Sequence, residues 1–363
     1  MMKILIGGGG TGGHIYPALA VARHALAQDD HTKILFVGSA AGLESKIVPS
    51  AGFPFVTIPA RGFQRSFKQL DLVISDLFKG LIESGRVIEK FQPNVILGTG
   101  GYVAAPLVLS AILKRFPVVI HEQNALPGLV NRWLAPFVKR VCISFQDTES
   151  KMPRFSRVVF TGNPRASEVT ALTRTEGCRH FDLDPHYKNI LVYGGSRGAL
   201  KLNQVVTAYL KANLLPGEVN MIYVTGEIYY QSVLEELGDL SGRIKLFPYL
   251  DQMPAALAAA DLAVTRSGAT TLAEITVLGI PALLVPSPNV VNNHQHYNAR
   301  LLANAGAAIL IDEIDFDQMR LQREIDRLIE EPALLEEMSR CSRKMGVPDA
   351  AANLYSCLQE VAS

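Results

Sequence analysis

Lys3-Ile4-Leu5-Ile6-Gly7-Gly8-Gly9-Gly10-Thr11-Gly12-Gly13-His14-Ile15-Tyr16-Pro17 reads as a buried strand, a glycine turn and the start of a helix. The apolar run is short, the glycines allow a tight turn, and Pro17 suits a first helical turn. The same grammar returns at Ile190-Leu191-Val192-Tyr193-Gly194-Gly195-Ser196-Arg197-Gly198-Ala199. Strand, glycines and helix start together present backbone N–H groups and a positive helix end to an anion. A third copy, Val95-Ile96-Leu97-Gly98-Thr99-Gly100-Gly101-Tyr102, again puts pliant backbone at a strand end.

Outward from these turns, short β-branched runs alternate with helical patterns along the whole chain. The first series is Lys3–Ile6, Ile34–Val37, Phe55–Ile58, Val95–Leu97, Val118–Ile120, Arg140–Ile143 and Val158–Phe160. The second is Ile190–Tyr193, Asn220–Val224, Ile244–Phe247, Leu262–Val264, Ala282–Val285 and Ala308–Ile311. Such alternation predicts an α/β fold with two parallel, doubly wound sheets. Thr161-Gly162-Asn163-Pro164 breaks the pattern, and a polar run from Arg174 to Lys188 precedes the second series. The boundary is therefore expected near Gly162, with domains at 1–161 and 162–346. Ligands of such sheets bind beyond the carboxyl ends of the strands, so a phosphorylated ligand is expected in a cleft between the two glycine units.

Composition narrows the function. The 363 residues are 48% hydrophobic and 19% charged, enough for substantial cores. Lys and Arg number 35 against 34 Asp and Glu, for a net charge of +1, which argues against a nucleic-acid partner. Cys142, Cys178, Cys341 and Cys357 are scattered without a CxxC pair, as in a reducing compartment. Neither a signal peptide nor a membrane-spanning run is evident, so the expected address is the cytoplasm.

Each motif carries a functional and a plain reading. A dinucleotide site wants an acidic residue at the end of the second strand, but Ile34–Val37 runs into Gly38-Ser39-Ala40, and Glu44 comes only later. No Walker lysine follows the glycines. His14, near a helix start that disfavours its charged form, suits a general base or a cap of local backbone. Tyr102 suits a ligand stack or a domain core. His121 and Glu122 are adjacent in extended chain and so point apart, and no metal is expected. In Arg266-Ser267-Gly268-Ala269-Thr270-Thr271-Leu272-Ala273-Glu274, Ser267 or Thr270 is expected to cap the next helix. Glu274 is placed either to accept from a ribose or to face the helix dipole. The polar run from Asn292 to Asn298 suits sugar hydroxyls or simply a wet surface.

Taken together, GGTGGHIYPALA (Gly9–Ala20), GTGGY (Gly98–Tyr102), HEQNALPG (His121–Gly128), TGNPRA (Thr161–Ala166), GGSRGA (Gly194–Ala199), RSGATTLAE (Arg266–Glu274) and NHQHYNA (Asn293–Ala299) closely resemble the MurG family. These are bacterial glycosyltransferases that add N-acetylglucosamine to lipid I in peptidoglycan synthesis. The resemblance spans nearly the whole chain, in order. It implies a GT-B fold, two Rossmann-like domains across a cleft, with a final segment, 347–363, returning to the first domain. It implies UDP-N-acetylglucosamine as donor, lipid I as acceptor, no cofactor, and a peripheral position on the cytoplasmic face of the cell membrane beside other wall-synthesis proteins.

Carried onto this chain, the resemblance puts Thr11, Gly12 and Gly13 near the donor diphosphate and the acceptor. Asn124 falls on the donor sugar and Ser196 on the diphosphate. Leu250 is expected to offer backbone to uracil, Ala269, Thr270, Thr271, Leu272, Ala273 and Glu274 to hold phosphate and ribose, and Gln295 to bind sugar hydroxyls. Tyr102, Asn131 and Arg165 complete the expected substrate contacts, with His14 as base and Glu122 assisting. Two positions depart from the pattern: Arg165 stands two residues after Asn163 rather than three, and His294 replaces a second glutamine. A membrane patch is expected from Phe63, Phe67, Leu72, Ile74, Leu77, Phe78, Leu81 and Ile82 with Arg61, Arg65, Lys68 and Lys79. A packed amphipathic helix is the plain alternative. Rival functions for the whole chain are a UDP-N-acetylglucosamine 2-epimerase, an NAD-dependent oxidoreductase and a non-catalytic sugar-nucleotide-binding protein.

Overall fold

The computed structural model describes residues 1–61, 70–195 and 198–362. Within it the chain forms two compact units, Glu168–Pro348 and the remainder, Met1–Ser167 joined by the segment from Asp349 onward. The division thus falls slightly beyond the Gly-Asn-Pro break.

In the first unit β1 (Lys3–Gly8), α1 (Gly12–Gln28), β2 (Lys33–Gly38), α2 (Glu44–Ser50), β3 (Phe55–Thr57), α3 (Leu70–Phe91) and β4 (Val95–Gly100) alternate without exception. They continue as α4 (Ala104–Leu113), β5 (Val118–Glu122), α5 (Leu129–Leu134), β6 (Arg140–Ile143) and β7 (Val158–Phe160). The second unit runs α6 (Arg174–His180), β8 (Lys188–Tyr193), α7 (Leu200–Lys211), β9 (Val219–Val224), α8 (Glu227–Leu237) and β10 (Ile244–Phe247). Its remainder is α9 (Met253–Ala259), β11 (Leu262–Thr265), α10 (Ala269–Leu278), β12 (Ala282–Leu284), α11 (His294–Asn304), β13 (Ala308–Leu310), α12 (Gln318–Glu330) and α13 (Pro332–Met345). The last helix, α14 (Ala350–Ala362), belongs to the first unit.

Every strand expected from the sequence is present, within three residues at its ends. The sheets are parallel, ordered β3-β2-β1-β4-β5-β6-β7 and β10-β9-β8-β11-β12-β13. In each, strand order reverses beside the first strand, so the switch points lie at β1/β4 and β8/β11. Register across the first pairs Gly7 with Gly98 and Gly8 with Gly100, bringing two glycine turns side by side. The polar run after Thr173 folds into α6 because Thr173 and Glu176 form a reciprocal capping box.

Burial on both faces explains the continuous apolar strands. In β1, Ile4 and Ile6 pack toward α1 and α14, while Leu5 packs with Ile96, Leu107 and Ile120 on the other face. Leu354 and Leu358 of α14 are fully buried in that first cluster, and Cys142 Sγ of β6 meets Cys357 Sγ at 3.5 Å.

Candidate active site

The turn after β1 is held from beneath. Glu44, fully buried at the start of α2, accepts from Gly10 N–H at 2.9 Å through Oε2. Its Oε1 accepts from Ser39 N–H at 3.0 Å and from the Ser39 hydroxyl at 2.8 Å. One donor of the supposed anion cradle is therefore already taken. Gly9, Gly38 and Gly42 close around this carboxylate, and a Cβ on Gly9 or Gly42 would overlap it. Thr11 is the extended N-cap of α1 and is exposed, with Gly12 and Gly13 opening the first helical turn, where amides lack intrahelical partners.

His14 stands on that turn. Its Nδ1 lies 3.0 Å from the Gly9 carbonyl and 3.2 Å from Thr11 Oγ1. A carbonyl only accepts, so that contact puts the proton on Nδ1 and leaves Nε2 as the basic nitrogen. The ring lies against the turn after β4, where a Cβ on Gly101 would approach Nδ1 to 3.1 Å and one on Gly100 would approach Nε2 to 3.3 Å. Both glycines have positive φ, 78° and 98°, which only glycine adopts easily. Tyr102 packs its ring over Gly10, and Arg165 lies 5.5 Å over the ring of Tyr16 in α1.

The end of β5 is a polar network. His121 is fully buried: Nε2 is 3.1 Å from the Gly162 carbonyl, and Gln123 Nε2 is 3.1 Å from Nδ1. Burial, more than any other influence, lowers its pKa to about 4. Glu122 accepts from Asn124 N–H (2.9 Å), Gly128 N–H (2.9 Å) and Asn131 Nδ2 (2.8 Å). These bonds correct two expectations. Glu122 is 2% exposed and ties down its loop, leaving its oxygens no opening toward an acceptor hydroxyl. Asn131 is buried in α5 and gives its amide to Glu122, so it supports the loop that carries Asn124. Two buried polar atoms at this switch point, Thr99 Oγ1 and Gln123 Oε1, have no partner among the described residues.

At the second switch point Ser196 lies outside the described residues. Arg266 follows β11 and donates to the Val285 carbonyl at 2.9 Å while pairing with Glu313, which joins strand ends. Ser267 does not cap α10. Its hydroxyl donates to the Gln295 carbonyl at 2.8 Å, and Gly268 is the N-cap, because the buried Ser267 faces α11. Ala269, Thr270 and Thr271 open α10, and the buried Thr270 Oγ1 has no partner among the described residues. Leu272 cannot contact a ligand. Its side chain is fully buried, its N–H donates to Gly268 at 2.9 Å, and its carbonyl accepts from Thr276 at 2.8 Å. Ala273 is half-buried and Glu274 is 6% exposed on the next turn. Gln295 accepts from Ser287 N–H at 2.9 Å through Oε1, which leaves its two amide protons to offer. The backbone of Leu250, in the turn after β10, makes no hydrogen bond among the described residues. No group of three or more His, Cys, Asp or Glu among the described residues is arranged to hold a metal ion.

Two doubly wound units of this kind in one chain constitute the GT-B architecture. The Glycosyltransferase family 28 N-terminal domain matches residues 4–143, and the family's C-terminal domain matches residues 189–354. The chain belongs to glycosyltransferase family 28, in its MurG branch. It is 43% identical over 99% of its length, and 100% of the other's, to the UDP-N-acetylglucosamine–N-acetylmuramyl-(pentapeptide) pyrophosphoryl-undecaprenol N-acetylglucosamine transferase of Halalkalibacterium halodurans. The Acinetobacter baumannii MurG crystal structure superposes with a TM-score of 0.77 at 28% identity, covering 99% of this chain and all of that one. A UDP-GlcNAc 2-epimerase from Neisseria meningitidis shares the fold alone, with a TM-score of 0.69 at 14% identity, 99% of this chain and 100% of that one being covered.

Proposed function

We propose that this chain transfers N-acetylglucosamine from UDP-N-acetylglucosamine to the 4-hydroxyl of the muramoyl sugar of lipid I, with inversion, to give lipid II. The observation that carries the reading is full-length identity of 43% to a transferase named for that reaction, with His14 set on the glycine turn in a base-ready tautomer. Nε2 of His14 takes the proton as the acceptor oxygen attacks the anomeric carbon, and UDP leaves from the opposite face. Charge developing on UDP is met by the amides of Ala269, Thr270 and Thr271 at the start of α10 and by the turn after β8. The Leu250 backbone meets uracil, Glu274 the ribose, and Gln295 the sugar through its amide protons. Asn124, held in place by Glu122, meets the donor sugar, with Thr11, Gly12, Gly13 and Tyr102 on the acceptor side.

The lipid acceptor calls for a membrane-facing surface. On α3, Ile74, Leu77, Phe78 and Ile82 are exposed at helical spacing, Phe78 at 63%. They form an apolar stripe turned outward, whereas a packed amphipathic helix would turn it in. Leu81 is half-buried, Lys79 is exposed, and Arg61 pairs with Asp76 at 3.0 Å. Phe63, Arg65, Phe67 and Lys68 lie outside the described residues, as does the Leu72 side chain. Leu113, Leu129, Trp133 and Phe137 on and beside α4 and α5 are also exposed, and α4 packs against both α3 and α5. No helix among the described residues is long and apolar enough to cross a membrane. These observations support peripheral binding to a membrane surface, which we place at the cytoplasmic face on the family resemblance alone.

The test is UDP release from UDP-N-acetylglucosamine with and without a lipid I analogue. Acceptor-dependent release, with sugar appearing on the analogue, is expected. Sugar epimerised or UDP released without acceptor points instead to the epimerase, and donor binding without turnover to a binding protein.

A further inference from the structure

We infer that Glu44 is a positioning residue for His14. The inference rests on the base role just proposed. Glu44 is fully buried, and no ion pair reaches it among the described residues. Its only donors among the described residues are Gly10 N–H and the N–H and hydroxyl of Ser39. A carboxylate buried on three neutral donors is costly to desolvate, and here its bonds fix the geometry of the neighbouring turn.

That geometry leads directly to the base. Gly10 N–H belongs to the peptide whose carbonyl is Gly9 O, the oxygen that holds His14 Nδ1 at 3.0 Å. An amide's N–H and C=O lie in one rigid plane, so fixing one end aims the other. Glu44 pulling on the Gly10 N–H therefore points the Gly9 carbonyl at His14, seats the proton on Nδ1 and presents Nε2. Gly10 holds φ at 82°, which the bond helps to secure. Gly9 and Gly42 leave no room for a Cβ against the carboxylate, so the loop is shaped around it.

Glu44→Gln tests this by replacing one acceptor oxygen with a donor amide that cannot accept from Gly10. In otherwise native protein kcat is expected to fall on the order of tenfold or more, with UDP affinity unchanged. In a His14→Ala background the same change is expected to cost less than about threefold, since residues acting through one another are non-additive. An equal loss in both backgrounds makes Glu44 a general fold support and overturns the inference, as does unchanged kcat in folded Glu44→Gln. Should that variant not fold, Ser39→Ala, which loosens the carboxylate without removing it, is read the same way. Native turnover in His14→Ala overturns the base role itself. Loss there with full activity in Glu44→Gln overturns only the positioning role.

Discussion

His14 Nδ1 rests on a backbone carbonyl, which leaves Nε2 as the nitrogen to take a proton in the reaction. His14→Ala is expected to lower kcat about a hundredfold or more with UDP affinity unchanged, measured by single-turnover kinetics and calorimetry. His121, by contrast, titrates as a fold element. Its pKa is lowered from 6.5 to about 4, so the unfolded chain binds the proton more readily. Stability is then complete above about pH 6.5 and lost as pH falls toward 4, by about 3 kcal/mol at most. Denaturant melts across that window should show the slope, and His121→Gln should flatten it. Residue identities at the turns were legible because glycine spacing dictates backbone shape. The roles of Glu122 and Asn131 were not, since a motif reveals a polar residue but not which way its hydrogen bonds run.

Helix α3 presents its apolar stripe outward, and the element is where membrane affinity should reside. Phe78→Glu with Ile82→Glu is expected to reduce binding to vesicles containing anionic lipid by tenfold or more, from roughly 1.5–3 kcal/mol per buried side chain. Turnover of a short-chain, water-soluble acceptor should be preserved, which separates docking from chemistry. Periodicity revealed that stripe but not its direction, because an inward and an outward apolar face have the same spacing. Helix α6 escaped notice for the opposite reason: its composition is polar, and only the Thr173–Glu176 box marks it as helix. Helix α14 buries one whole face, with Leu354 and Leu358 fully covered. Leu358→Ala should destabilise the first unit by about 2–5 kcal/mol in urea unfolding.

Across the whole molecule each unit has its own sheet and its own apolar core. Saturating UDP at about a hundred times its dissociation constant is therefore expected to stabilise the unit containing α10 by about 2.7 kcal/mol. Scanning calorimetry should show that transition moving upward, and a uniform shift of both transitions would count against donor binding in the second unit alone. Both parallel sheets were readable from alternation, since strands buried on two faces leave no polar period. Pairing order was not, yet it is what places Gly7 beside Gly98 and makes separate motifs into one site.

The return of α14 has a consequence for synthesis. The first unit is written in two pieces, with all of Glu168–Pro348 between them. A ribosome therefore delivers the sheet of that unit long before the helix that covers Ile4, Ile6 and Leu97. Until α14 emerges, the nascent chain carries an uncovered apolar face, while the intervening unit can already fold. Such a protein finishes folding in reverse, its first sheet sealed only after the whole of the second unit has been made.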